Sequence, residues 1–185
     1  SRQMFWSDSL TGQSDHAWGR ALGWYTMGIV DALDYIPAGT EGRDSLIAVL
    51  QGIYEVLPDY ADPATGMWYQ VLDCPGREGN YLEATCSAMF SYSLLKGVRM
   101  GYLSPDLKDW ARSTYEGFLD YFLYTDEQGL PAIKDCCEVA GLGGKENRSG
   151  DYEYYINEKR RSNDPKGVGP YINASLEYDR LFNEK

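Results

Sequence analysis

His16-Ala17-Trp18-Gly19-Arg20-Ala21-Leu22-Gly23-Trp24 opens a segment in which Trp18, Leu22, Tyr25, Ile29, Ala32, Leu33 and Ile36 return at the spacing of one helical face, as far as Pro37. The pattern predicts a helix capped by Asp15, with its apolar stripe turned to a core. Arg20 and Trp24 stand four residues apart and so share a face, a cationic fork beside a flat aromatic ring. Such a pairing suits an acidic sugar. The competing reading makes both tryptophans core packing and Arg20 a solvated helix charge.

Outward from this stretch, the same periodicity predicts paired helices. A second runs from about Glu41 to Tyr60 on Leu46, Val49, Leu50, Ile53 and Val56, with Pro58 bending its end. Asn80 and Glu83 have the spacing of a capping box before a third, through Ala88, Met89, Tyr92, Leu95 and Val98. Ser104-Pro105 starts a fourth through Trp110, Tyr115, Phe118, Leu119 and Phe122. Asn163 to Pro170 reads as a polar, glycine-rich turn that places Lys166 just before a last helix, Tyr171 to Phe182. Met67 to Leu72 and Gly129 to Asp135 are short and β-like, Val139 to Gly150 is a long loop, and Tyr152 to Ile156 is an aromatic run.

A turn phrase recurs between the helices. Trp6-Ser-Asp8 with Gly12, Tyr60-Ala-Asp62 with Gly66, and Tyr124-Thr-Asp126 with Gly129 each place an aromatic, an Asp two residues on and then a Gly, a period of roughly sixty residues. Repeated helical hairpins bury their faces against one another, so the expected fold is all-α: an α/α toroid, taken as one domain over residues 1–185, with short β-like segments in its loops. Only about two and a half hairpins are present, which predicts an incomplete toroid completed by an upstream segment, by a partner chain or by self-association.

Composition narrows the function. Seventeen basic against twenty-eight acidic side chains give a net charge of -11, which opposes binding to nucleic acid or an anionic membrane. An acidic small ligand then needs a local basic pocket, for which Arg20 and Lys166 are candidates. Sixteen tyrosines and five tryptophans offer flat surfaces for helix interfaces and sugar rings alike. Cys74, Cys86, Cys136 and Cys137 show no C-x-x-C spacing and His16 is the lone histidine, so the sequence carries no zinc pattern and the thiols are expected reduced or buried. No apolar run reaches transmembrane length. The N-terminal residues lack the order of a secretory signal, leaving a cytoplasmic or a periplasmic location in a bacterium open.

Glycosidic chemistry usually requires two carboxylates. Asp8, Asp15, Glu83, Asp151, Glu153 and Asp164 lie in or beside loops, yet turns and caps account for Asp8, Asp15 and Glu83, and none is marked as a general acid. Gly141-Leu142-Gly143-Gly144 offers backbone amides to an anion, and Lys166 beside a helix N-terminus offers a second anion site.

Several separated motifs together resemble the unsaturated rhamnogalacturonyl hydrolases of glycoside hydrolase family 105, related to the family 88 unsaturated glucuronyl hydrolases. They are Trp18-Gly-Arg-Ala-Leu-Gly-Trp24, Tyr81-Leu-Glu-Ala-Thr85 with Ala88-Met-Phe90, Lys96-Gly-Val-Arg99, Val139-Ala-Gly-Leu-Gly-Gly144, Tyr152-Glu-Tyr-Tyr155 and Asn163-Asp-Pro-Lys-Gly-Val-Gly-Pro170. The resemblance implies a six-hairpin α/α barrel that needs no metal or cofactor. In it an Asp protonates the enol-ether double bond of a 4,5-unsaturated uronic acid and activates water, and the hydrated product loses its glycosidic link. It implies that Trp18, Arg20 and Trp24 line the sugar subsite and that Gly141, Leu142 and Gly143 face the uronate, with Lys166 inferred to contact it too. The family's His-x-x-Asp segment would precede Ser1, so no catalytic residue is expected in this chain, which resembles the C-terminal half of such an enzyme. The alternative is a noncatalytic carbohydrate-binding or scaffold half-toroid.

Overall fold

The computed structural model describes residues 7–184 except Ser9 and Glu146, so Trp6, the first aromatic of the turn phrase, lies outside the described residues. The main helices are α1 (Gly19–Ala32), α2 (Arg43–Val56), α3 (Ala84–Arg99), α4 (Lys108–Phe122) and α6 (Pro165–Phe182), with a short α5 (Tyr152–Asn157). Four short strands, β1 (Leu123–Thr125), β2 (Pro131–Ile133), β3 (Cys136–Cys137) and β4 (Arg160–Arg161), form two antiparallel pairs, β1 with β2 and β3 with β4.

Helix α3 is the axis of the packing. Every residue from Ala84 to Val98 is buried, because α1, α4 and α6 all pack against it. Its contact with α1 is close: a Cβ on Gly19 would come within 2.9 Å of Cys86 Sγ, and one on Gly23 within 2.9 Å of Met89 Cβ. The two glycines of the opening stretch, one helical turn apart, therefore let the backbones approach. Charge locks the other end of α3. Lys96 Nζ lies 2.7 Å from both Asp31 Oδ1 and Asp34 Oδ2 of the α1 side, and Arg99 grips the buried Glu177 of α6.

The turn phrase folds alike at each occurrence. The Asp carboxylate accepts loop N–H groups, from Leu10 and Thr11 at Asp8, from Thr65 at Asp62, and from Gln128 and Leu130 at Asp126. Gly12, Gly66 and Gly129 take positive φ and donate to the Asp carbonyl. The preceding residue bridges across the loop each time, Ser7 to Ser14, Ala61 to Trp68 and Thr125 to Pro131. The sixty-residue period is thus a structural repeat between helical hairpins.

Helix starts depart from expectation where extended backbone competes. Asp15 does not cap α1. Trp18 is the N-cap residue and makes no side-chain capping bond, because residues 17–19 pair with 70–72 through Gly19 N–H to Gln70 O and Leu72 N–H to Ala17 O. Helix α1 also ends at Ala32, before Pro37 disfavours helix at Ile36. The second helix is shorter than expected at both ends, and Leu57–Tyr60 is a 3-10 turn.

Asn80 does not cap α3 either, since Gln70 N–H bonds to Tyr81 O and Glu83 N–H to Trp68 O, which holds residues 81–83 extended. Asn80 instead pins the preceding loop by bonding to Val71 and Cys74, and Glu83 alone caps α3. Tyr152 to Ile156 is helical, with Asp151 as its cap. The last helix begins six residues earlier than expected, at Pro165, with Asp164 as its cap and Pro170 inside it. Glycines and proline suggested a turn here, but the cap and Pro at the first position start a helix. Lys166 is consequently in the first turn of α6, not before it. Among the described residues no helix is long and apolar enough to cross a membrane.

Candidate functional site

The first turn of α1 and the loop before α5 face each other across a cavity of 530 Å³, lined among others by Ser14, His16, Trp18, Ala21, Tyr25, Gly141, Leu142 and Tyr155. Three of the residues expected in a site, Trp18, Gly141 and Leu142, meet there. Trp18 is held flat, its ring stacked on Tyr155 at 6.0 Å and its Nε1 donating to Gln70 Oε1 at 3.2 Å. Two fixed points on one indole leave an aromatic wall of defined direction.

Arg20 lies behind that wall. It is 2% exposed, its guanidinium sits 4.9 Å from the centre of the Trp18 ring, and its Nη1 donates to the Cys137 carbonyl. The solvated-charge reading of Arg20 is therefore overturned. Trp24, by contrast, is 47% exposed and is not core packing.

Sequence reasoning missed the polar framework that fixes this wall. Glu83, fully buried, accepts from Thr85 Oγ1 at 2.7 Å and Cys86 N–H at 2.8 Å through Oε2, and from Cys137 N–H at 2.8 Å through Oε1. The same Cys137 peptide thus gives its N–H to Glu83 and its carbonyl to Arg20, joining a buried anion and a buried cation through one backbone unit. Gln70 links the framework to Trp18, and its Nε2 also reaches Cys137 Sγ at 3.2 Å. Burial first, and then the Glu83 charge, push the Cys137 thiol up, so it stays neutral. Burial likewise pushes the Tyr155 phenol up to about 12. The capping position of Glu83 was legible in sequence, but nothing local marked it as part of the buried framework behind Trp18.

The glycine loop is partly committed to itself. Gly141 N–H donates to Tyr154 Oη at 3.1 Å, and Gly143 exchanges backbone bonds with Arg148 at 2.9 and 3.0 Å. Lys166 is engaged as well: its Nζ lies 2.8 Å from Asp164 Oδ1, and Asp164 also takes Arg161 Nε at 2.7 Å. Burial pushes the Asp164 carboxyl up, but the hydrogen bonds of Lys166 and Arg161 outweigh it and leave the group below the usual carboxylate range. Arg20, Trp24, Gly143 and Lys166 do not line the cavity, and among the described residues no Asp or Glu does.

A family model described as Glycosyl Hydrolase Family 88 matches residues 1–182. Protein Atu3128 of Agrobacterium fabrum is 38% identical over 186 residues, covering 96% of this chain and 78% of that protein. Among solved structures, a family 105 glycoside hydrolase of C. acetobutylicum ATCC 824 superposes with a TM-score of 0.93 at 46% identity, covering 97% of this chain and 50% of that one. A possible family 105 member from Salmonella enterica gives a TM-score of 0.74 at 26% identity, covering 89% and 40%. The chain thus spans half the length of the first of these solved relatives, or less for the second.

Proposed function

Because the chain belongs to glycosyl hydrolase family 88, we propose that the complete protein hydrolyses 4,5-unsaturated uronyl oligosaccharides of the galacturonyl-rhamnose type, products of pectin breakdown. In this reading an Asp outside residues 1–185 protonates the enol-ether double bond and activates the water that hydrates it, and this chain supplies one wall of the sugar subsite. The observation that carries the proposal is the cavity: an aromatic wall backed by a buried guanidinium, facing a glycine loop, with no carboxylate among the described residues that line it. Such a surface binds a sugar ring, and its described residues offer no acid for glycosidic chemistry.

The proposal ranks the site residues by position. Trp18, Gly141 and Leu142 touch the sugar, and Arg20 orients Trp18 and contributes positive potential to a uronate. Trp24, Gly143 and Lys166 follow, since none of them lines the cavity. The half-toroid is completed by the protein's own upstream hairpins.

The test is the loss of ultraviolet absorbance of an unsaturated galacturonyl-rhamnose disaccharide. Turnover is expected from protein that includes the sequence upstream of Ser1 and not from residues 1–185 alone. Turnover by the short chain would place the acid within it and overturn the assignment. An inactive longer protein would overturn the substrate class.

A further inference from the structure

At the edge of the same cavity, His16 meets two adjacent side chains from a distant loop, Asp73 and Cys74. His16 Nδ1 lies 2.8 Å from Asp73 Oδ2, Cys74 Sγ lies 3.6 Å from His16 Nδ1, and Cys74 Sγ lies 3.9 Å from Asp73 Oδ2. We infer that His16, Asp73 and Cys74 form a binding site for a borderline-soft divalent cation of the zinc type, which goes beyond the proposed hydrolase activity and does not depend on it.

The spacing is the argument. Zinc bonds of about 2.0–2.2 Å to N and O and about 2.3 Å to S, set tetrahedrally, require ligand edges of about 3.3 Å between N and O and about 3.6 Å from either to S. The edges to sulfur match within a few tenths of an ångström. The N to O edge is shorter because a hydrogen bond now closes it, and exchanging that shared proton for a cation opens it by about half an ångström.

The ligands are held in place by other bonds. Asp73 Oδ1 accepts the Ala17 N–H at 2.7 Å, which orients the carboxylate and leaves Oδ2 for the site. The Cys74 carbonyl accepts Asn80 Nδ2 at 2.7 Å, fixing the loop that carries both Asp73 and Cys74. The His16 ring packs edge-on against Tyr152 at 5.9 Å. Cys74 is the one cysteine that is not buried, so a cation reaches its sulfur from solvent.

One sulfur, one imidazole and one carboxylate select Zn2+ or Co2+ over Mg2+ and Ca2+, which prefer all-oxygen sets. Binding releases the thiol proton to solvent and leaves the imidazole proton of His16 on Nε2, so that Nδ1 faces the cation, with a fourth position for water or a ligand atom. Because 57 residues separate His16 from Asp73, no sequence spacing reveals the group.

The experiment is titration of the reduced full chain with Co2+. Binding of one ion per chain with a near-ultraviolet thiolate-to-cobalt band, reversed by Zn2+ and unaffected by excess Mg2+, is expected. Cys74→Ser should abolish the band, and His16→Ala should weaken binding by at least about 10-fold, with far-ultraviolet circular dichroism confirming that both fold. Absence of the band in the wild-type chain, or its survival in folded Cys74→Ser, would overturn the assignment. The wild-type titration decides the question even where a variant does not fold.

Discussion

The starts of α1 and α6 look alike in sequence and end differently in space. Each sets a cation beside glycines at a helix N-terminus: Gly19-Arg20 with Gly23, and Lys166-Gly167 with Gly169. At α6 the charge is answered locally, since Asp164 is both the helix cap and the partner of Lys166 two residues on. At α1 the first helical turn carries no acid, and Arg20 reaches the carbonyl of Cys137 from the buried side of Trp18. A cation paired within its own turn is a helix-start device. One that must cross the fold to find its partner becomes a support for whatever lies between them, here the aromatic wall of a cavity.

The sharpest way to break this comparison is to remove each cation. Arg20→Ala leaves a buried carbonyl unpaired and a void behind Trp18, and should cost about 2–4 kcal/mol in chemical denaturation. Equal losses from Arg20→Ala and Lys166→Ala would erase the distinction. Gly23→Val tests whether α1 must lie close on α3. Its Cβ would meet Met89, so an overpacking cost of about 1–3 kcal/mol is expected in the same measurement.

Trp18→Phe keeps the wall but loses the Nε1 bond to Gln70. It should lower stability by about 1 kcal/mol while measurably weakening binding of an unsaturated uronide by calorimetry. Lys166→Ala should cost less than about 1 kcal/mol, because Lys166 is partly solvated and Asp164 keeps Arg161.

Acid sharpens the contrast further. The Asp164 carboxyl is held below its unfolded value, so the stability it contributes is present above the unfolded value near 4 and disappears as pH falls through the lower folded one. Asp73 lies low for a similar reason: burial pushes it up, but the Ala17 N–H and His16 outweigh that. Asp164→Asn should therefore flatten the acid limb of a melting-temperature profile below about pH 4, whereas Arg20→Ala lowers the whole profile without changing its shape there.

Much of the fold was legible in the chain. Apolar spacing located all the main helices, and the Asp and Gly of the turn phrase identified the repeat because carboxylate acceptors and positive φ act within a few residues. The errors at Asp15, Asn80 and Pro165 have a common cause at the first two: residues 70–72 pair with 17–19 and residues 68–70 with 81–83, and that long-range extended backbone displaces local caps. At α6 the glycines outweighed Asp164 and Pro165 in the reading, although the latter two control how a helix starts. Trp18, Gly141 and Leu142 were singled out from motifs and meet at one cavity. Gln70, Glu83 and Tyr155, which hold them, look in sequence like an ordinary strand glutamine, a cap and one tyrosine among many.

By itself the sequence determined helices, turns, the repeat and the family motifs, because periodicity, capping and turn chemistry act over a few residues. Only the tertiary structure decided that Arg20 is buried behind Trp18 while Lys166 is neutralised beside Asp164, and that His16 meets Asp73 and Cys74. The partner of a charge is chosen by distance in space, and between Arg20 and Cys137 that distance is spanned by the packing of α1 and β3 beside α3, not by any spacing along the chain.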